Sequence, residues 1–426
     1  MRNFIKSIKL IAGYSAILII AKLLAFSANF VLAASLSSVD FGYISLAQAL
    51  FMAADGIFGF NAQSAFVRFS YFHGAGAVLR ALAPVYAWML TSAVLTGLAI
   101  VTYLGADSLY VWFALIPLGG VAVSHLASSN AIARITNNLA AYALGEISRP
   151  GLLLLFVLMF FLISPSMAVG PFYIIALFFS GTVATTVGWA SQWHVVREHR
   201  ADIETSHVVG YIAPLLGGQL VSLANNYGDR FLLAAWMSIE DVGLYGKAYL
   251  AGSTFGTLCD SIFILWAPFI VKHREKYAIA LHPWVRRLYS WSWIVALCVL
   301  SLAWSVSVIG NPLEGYLSTR LVTVGLIVTA AFVLRIGYQV CVPILSAFDR
   351  TPTVARLTVV SALVGLIANV CLIHFLGVHG AAFATLMAFA VFATGAYLNV
   401  LKLLGSSSNQ VDLEYKRIKS TSNDGG

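Results

Sequence analysis

Apolar stretches of roughly twenty residues or more follow one another along almost the whole chain, separated by short polar breaks. An apolar run of about 20 residues is the length an α-helix needs to cross the hydrocarbon core of a bilayer. In a bilayer the backbone must satisfy its own hydrogen bonds, so such runs read as membrane helices. The pattern predicts twelve spans, at residues 10–33, 41–66, 81–103, 109–132, 139–163 and 172–193, then 208–237, 242–271, 288–309, 321–348, 353–375 and 378–403. The first run, behind Arg2, Lys6 and Lys9, has the outline of a signal peptide, with Leu32-Ala33-Ala34 as a cleavage site. Its apolar part is too long for that, since such regions run to about 7–15 residues, so it is read as a retained first helix.

Composition agrees with the pattern. The 426 residues are 60% hydrophobic and 10% charged, against about 25% charged in a soluble domain. The formal charge of +8 would suit a nucleic-acid partner, but the basic residues sit in short loops between apolar runs and build no polar face. The cysteines, Cys259, Cys298, Cys341 and Cys371, fall inside apolar runs, where isolated thiols act as small apolar side chains. His194 and His199 share a loop, but no cysteine or acidic cluster gives metal-ligand spacing. Neither a metal nor another cofactor is called for.

Loop charge sets the orientation. With the N-terminus inside, the inner loops collect Arg68, Arg80, Arg134, Arg197, Arg200, Lys272, Arg274, Lys276, Arg286, Arg287, Arg350 and Arg356, while the outer loops hold little beyond Arg320. Cytoplasmic loops carry the excess of Lys and Arg, so both ends are expected in the cytoplasm of a cell with this chain in its inner membrane. The polar stretch 194–207 divides the chain. The expected organisation is an N-terminal six-helix bundle over 1–195, a cytoplasmic linker at 196–207, a C-terminal six-helix bundle over 208–404 and a flexible cytoplasmic tail at 405–426.

The halves echo each other. Leu36-Ser37-Ser38-Val39-Asp40-Phe41-Gly42 lies between the first two spans, and Met237-Ser238-Ile239-Glu240-Asp241-Val242-Gly243 lies at a constant offset between the seventh and eighth. Ser, Asp and Gly match, although a polar turn with an acidic helix start can also arise by convergence. Gly170 and Gly380 recur at the sixth and twelfth spans. Six intervening spans give both copies the same direction, as in transporters built from parallel repeats.

Further residues carry a family resemblance. Asp229-Arg230-Phe231-Leu232-Leu233, followed by Ser238 to Tyr245 and Ala248, resembles a landmark of polysaccharide flippases. Phe41-Gly42-Tyr43, Asp55-Gly56, and Gly377-Val378-His379-Gly380-Ala381-Ala382 with Ala384-Thr385 add to it. The chain is similar, over nearly its whole length, to the O-antigen and lipid-linked oligosaccharide translocases of the multidrug/oligosaccharidyl-lipid/polysaccharide exporter superfamily. That likeness implies an all-α fold of two six-helix bundles, as in multidrug exporters, around a V-shaped cavity. It implies movement of undecaprenyl-pyrophosphate-linked sugars, repeat units of lipopolysaccharide O-antigen or exopolysaccharide, from the cytoplasmic to the periplasmic leaflet. A polysaccharide polymerase and chain-length machinery would be partners.

Charges within spans cost about 2.5–3.5 kcal/mol each at mid-helix, so each needs a reason. Lys22, Asp55, Arg149, Asp260 and Arg335 lie near mid-span, with Glu146 one turn from Arg149; Asp229, Arg230 and Lys247 lie toward outer ends. A cationic cavity would offset the desolvation of a pyrophosphate. Lys22 and Arg335 lead as its substrate-binding residues, followed by Arg149, Arg230 and Lys247. The alternative is helix-to-helix pairing, of Lys22 with Asp55, Arg335 with Asp260, or Arg149 with Glu146. Asp229 and Arg230 are neighbours in sequence, so their side chains are expected to diverge. Asp55 and Asp260, at similar depths in equivalent spans, are candidates for ion coupling or counter-ions, as are Asp229 and Glu146.

Pro214, Pro268, Pro343 and Gly217-Gly218 fall within spans and are candidate flex points. Trp236, Trp284, Trp291 and Trp293 read as interfacial anchors. No nucleophile–base pair or phosphate-binding glycine loop appears, and no loop is long enough for a catalytic domain, which argues against an enzyme or polymerase of glycan assembly. A cation-coupled drug exporter of the same superfamily remains the alternative, and it would favour an acidic cavity.

Overall fold

The computed structural model describes the backbone of residues 2–105, 111–163, 169–197, 202–309, 318–348 and 350–423, and the side chains of 12–70, 72–105, 111–162, 169–195, 197, 202–256, 285–308, 318–348 and 350–404. Among these residues the regular structure is helical throughout. Eleven helices among the described residues are long and apolar enough to cross a membrane. Helices suit the setting because they satisfy their backbone donors internally and leave side chains to meet lipid. Large apolar residues such as Leu95, Leu98, Trp291, Leu297 and Ile367 are correspondingly exposed.

The first compact unit comprises Met1–Leu250 with Ile373–Val378. It holds α1 (Arg2–Ser35), α2 (Ser38–Phe58), α3 (Ala62–His73), α4 (Ala75–Leu104), α5 (Leu115–Ile135, entered through a 3-10 turn at Val111–Ala114), α6 (Leu139–Ile163), α7 (Val169–Ala190), the short α8 (Trp193–Val196) and α9 (Thr205–Trp236). It also holds the start of α10 (Ile239–Ile309). α1 packs on α6, α2 on α5, and α7 on both α5 and α6. One core is built from Leu32, Ile44, Phe51, Val157 and Tyr173, a second from Phe66, Leu82, Met89, Ile132 and Ile212.

The second unit comprises Ala251–Leu372 with His379–Gly426. It holds the rest of α10, α11 (Thr319–Ala347), most of α12 (Thr351–Leu376) and α13 (Val378–Asn423). Its core gathers Val285, Val340, Ile344, Ala396 and Val400. Cys298, Cys341 and Cys371 are free thiols.

Three elements differ from the sequence expectation. The span expected at 41–66 is broken: α2 ends at Phe58, and Phe60 and Asn61 adopt left-handed φ values of 49° and 54° before α3 begins. A left-handed backbone cannot continue an α-helix, and Asn tolerates it better than most residues. The spans expected at 242–271 and 288–309 belong to one continuous helix, α10, of 71 residues. The basic stretch between them, expected as a loop, is helical; charged residues such as Lys and Arg are good helix formers, so polarity alone does not end a helix. The backbone of α13 likewise remains helical to Asn423.

Close helix contact depends on small residues, as is usual in membranes. A Cβ on Gly120 of α5 would lie 2.6 Å from the Asp55 amide nitrogen of α2. Backbone cannot swing aside as a side chain does, so Gly120→Ala is expected to cost about 1–3 kcal/mol by overpacking. A lowered melting temperature of the purified protein would show this. An unchanged one would mean that α2 and α5 separate without penalty.

Candidate functional site

Lys22 stands ten residues after Ala12, where the first span begins, and Arg149 ten residues after Leu139, where the fifth begins. At 1.5 Å per residue both are about 15 Å deep, half the thickness of a hydrocarbon core of about 30 Å. Both line a cavity of about 450 Å³ inside the first unit. The walls come from α1, α2, α5, α6, α7 and α9. Helical periodicity puts the chemistry on inward faces: Lys22, Ala25 and Asn29 of α1, Gln48, Phe51 and Met52 of α2, and Glu146, Arg149, Pro150 and Leu153 of α6.

The charges are arranged unequally. Lys22 is exposed, while Arg149 is half-buried with its guanidinium 5.5 Å from the Phe51 ring centroid. Arg149 and Asp55 lie close enough to interact electrostatically, where the sequence had suggested Lys22 as the partner of Asp55. Glu146 accepts a hydrogen bond from Asn130 Nδ2 at 3.1 Å. Among the charged groups lining the cavity, Lys22 and Arg149 therefore face the single carboxylate of Glu146. Pro150 lies inside α6 at the same level. A proline has no N–H, so the Glu146 carbonyl four residues earlier lacks its helical donor.

A neutral polar wall completes the site. Gln48 Nε2 donates to Asn29 Oδ1 and to the Tyr173 hydroxyl oxygen, tying α1, α2 and α7 together. Sequence reasoning centred on charge passed over Asn29, Gln48, Asn130 and Tyr173. A signal was present: Asn29 lies seven residues after Lys22, and Gln48 seven before Asp55. Seven residues are two helical turns, which puts each amide on the same face as a charge.

Other expected site residues lie elsewhere. Asp229 and Arg230 are 2% and 6% exposed in α9 and form an ion pair, Arg230 Nη1 to Asp229 Oδ1, at 3.2 Å. This corrects the expectation that their side chains diverge. The long guanidinium arm folds back because Asn226 O accepts from Nη1 at 3.0 Å and Ser45 Oγ accepts from Nε at 3.3 Å. Tyr227, Tyr245 and Tyr249 surround the cation with ring centroids 4.4–5.7 Å away, and the Tyr245 hydroxyl donates to Asp229 Oδ2. Lys247 Nζ donates to Leu36 O at 2.6 Å. Neither Arg230 nor Lys247 lines the cavity. Arg335, in α11 of the second unit, is half-buried, with its guanidinium 5.5 Å from the Phe332 ring and 5.8 Å from the Phe389 ring. The side chain of Asp260 lies outside the described residues.

Among the described residues, then, an all-helical bundle encloses a polar, charged cavity about halfway along its apolar helices. Solved structures share the fold. The lipid II flippase MurJ in an inward closed conformation is 14% identical, with a TM-score of 0.61 over 94% of this chain and 92% of MurJ. An inward-facing multidrug resistance MATE family transporter of the MOP superfamily is 14% identical, with a TM-score of 0.60 over 91% of this chain and 96% of that one. A MOP superfamily transporter from Pyrococcus furiosus, described as having a binding pocket of reversed polarity, is 15% identical, with a TM-score of 0.54 over 93% and 96%. No family model matches the sequence, and no curated protein matches it significantly.

Proposed function

We propose that the chain is a flippase for an undecaprenyl-pyrophosphate-linked oligosaccharide, a repeat unit of O-antigen or exopolysaccharide. It would carry this lipid from the cytoplasmic to the periplasmic leaflet of a bacterial inner membrane, both termini cytoplasmic, by alternating access. The observation that carries this reading is the pair Lys22 and Arg149 in one mid-depth cavity. A pyrophosphate passing through a low-dielectric region loses its hydration, and fixed cations with charged hydrogen bonds offset part of that cost. Asn29, Gln48 and Tyr173 supply neutral donors and acceptors of the kind sugar hydroxyls use. Arg335 is proposed as a further cation for the same cargo, and Asp55 as the counter-ion of Arg149.

The superfamily's other activity, cation-coupled export of drugs, draws on Glu146 and Asp55, the acids nearest the cavity. Deleting the gene and extracting the carrier lipids separates the two. The flippase reading expects carrier-linked glycan to accumulate in the cytoplasmic leaflet with drug tolerance unchanged. Normal lipid with lost drug tolerance would replace it with the export reading.

A further inference from the structure

At one end of the first unit α3 stops and α4 and α9 start. The Thr205 hydroxyl of α9 donates to Ala81 O of α4 at 2.9 Å, so these helix ends are tied side by side. Loop charge makes this the expected cytoplasmic end. Arg68 stands five residues before the end of α3, and Tyr211 six residues after the start of α9. At 1.5 Å per residue both lie about 7–9 Å inside the helix ends, near the boundary between lipid headgroups and acyl chains. The Arg68 guanidinium lies 4.7 Å from the Tyr211 ring centroid and 5.9 Å from that of Phe69. The rings of His207 and His73 stand around the buried Phe69 ring at 5.3 and 6.5 Å.

We propose that this cluster binds the phosphate of an anionic phospholipid in the cytoplasmic leaflet. The charge on Arg68 is uncommitted: the side chain is exposed, and among the described residues it has neither an acidic partner nor a hydrogen bond. Of the acids at this end, Asp202 and Glu204, neither pairs with it, and Glu204 accepts from the Ser206 hydroxyl at 3.0 Å. An aromatic face steadies a guanidinium but leaves its N–H edge open, and that edge is a fork matched to phosphate oxygens. His207 is exposed beside it, and His73 Nδ1 is buried without a hydrogen-bond partner among the described residues, so further polar atoms stand unspent. The basic surface continues to Arg197, 5.2 Å from the Trp193 ring of α8, whose Val195 packs in the same core as Phe69. A lipid fits better than a soluble anion because Arg68 shares the outer face of α3 with Val67 and Phe72, 54% and 70% exposed. Phe72 follows Arg68 by four residues, one turn along the same stripe, so acyl chains and a headgroup are met side by side.

The inference draws nothing from the flippase reading, since none of these residues lines the cavity. Its test uses the full chain in phosphatidylcholine vesicles doped with a phosphatidylglycerol that carries a photoactivatable group near its phosphate. Crosslinks are mapped by peptide mass spectrometry. Residues 62–73 and 205–215 are expected to take about fivefold more label from this probe than from the matching phosphatidylcholine probe, the ratio one basic residue at a membrane surface supports. Unlabelled phosphatidylglycerol is expected to remove the excess, and inorganic phosphate to leave it. Arg68→Gln is expected to return labelling to the phosphatidylcholine level, and Arg68→Lys to keep part of the excess. Equal labelling by the two probes would overturn the proposal, as would an excess unchanged in Arg68→Gln. Removal by inorganic phosphate would make this a site for free anions. Removal by undecaprenyl phosphate at roughly a tenth of the phosphatidylglycerol concentration would make it part of the cargo route. Either result overturns the phospholipid assignment. The mapping and competition arms use the unaltered chain, so they decide the matter if a variant fails to fold.

Discussion

Arg230→Ala is expected to lower the melting temperature of the purified protein by about 5 °C or more, the largest loss of any single cavity-distant substitution. Asp229 is 2% exposed and would keep its charge with its nearest cation gone. Removing one partner of a buried ion pair costs about 3–5 kcal/mol, much of it from the charge left behind. The arginine also closes bonds to Asn226 O and Ser45 Oγ and sits among three tyrosine rings, so its loss leaves packing space as well. The double variant Asp229→Ala/Arg230→Ala is expected to be less destabilised than the sum of the two single variants, because no lone charge remains. Additive losses would show that the pair carries no coupling of its own.

Lys22→Ala is expected to slow glycolipid translocation about 10- to 100-fold while leaving the melting temperature within about 1 °C. A hydrogen bond to a charged group is worth about 1.5–3 kcal/mol, and in a site that moves an anion this is felt during transport. Lys22 is exposed in the cavity, so folding depends little on it. Arg149→Ala is expected to lower both transport and stability, since Asp55 would lose its electrostatic partner. Lys22→Arg should recover most of the rate. Undiminished transport in Lys22→Ala at normal protein levels would remove the cationic cavity from the mechanism.

Much of the fold was legible because the bilayer imposes one crude rule, apolar length, and eleven of the helices obey it. Breaks and continuities were harder. Phe60 and Asn61 interrupt an apolar run through backbone angles that composition does not record, whereas the basic stretch inside α10 looks like a loop but is helical. At the candidate site, Lys22 and Arg149 line one cavity, whereas the sequence alone had paired Lys22 with Arg335 as the deepest cations. Partner choice was not legible: Asp55 interacts electrostatically with Arg149, Glu146 is engaged by Asn130, and Arg230 folds back on its own neighbour. Such pairings depend on helix rotation and on which spans are adjacent, and a single sequence fixes neither. The repeated turn was the most informative motif, since its two copies share capping bonds as well as letters.

The proline next to Arg149 has a mechanical consequence. Because the Glu146 carbonyl meets no amide at residue 150, flexing α6 at that turn breaks no rung of the helical ladder. The freed rung spans residues 146–150, so Glu146 and Arg149 lie at the two ends of the joint itself, and a bend there moves the guanidinium relative to the carboxylate and to Lys22. In the proposed flippase the spacing between the two cations would then adjust at little elastic cost, suiting a single wall to headgroups of unequal girth.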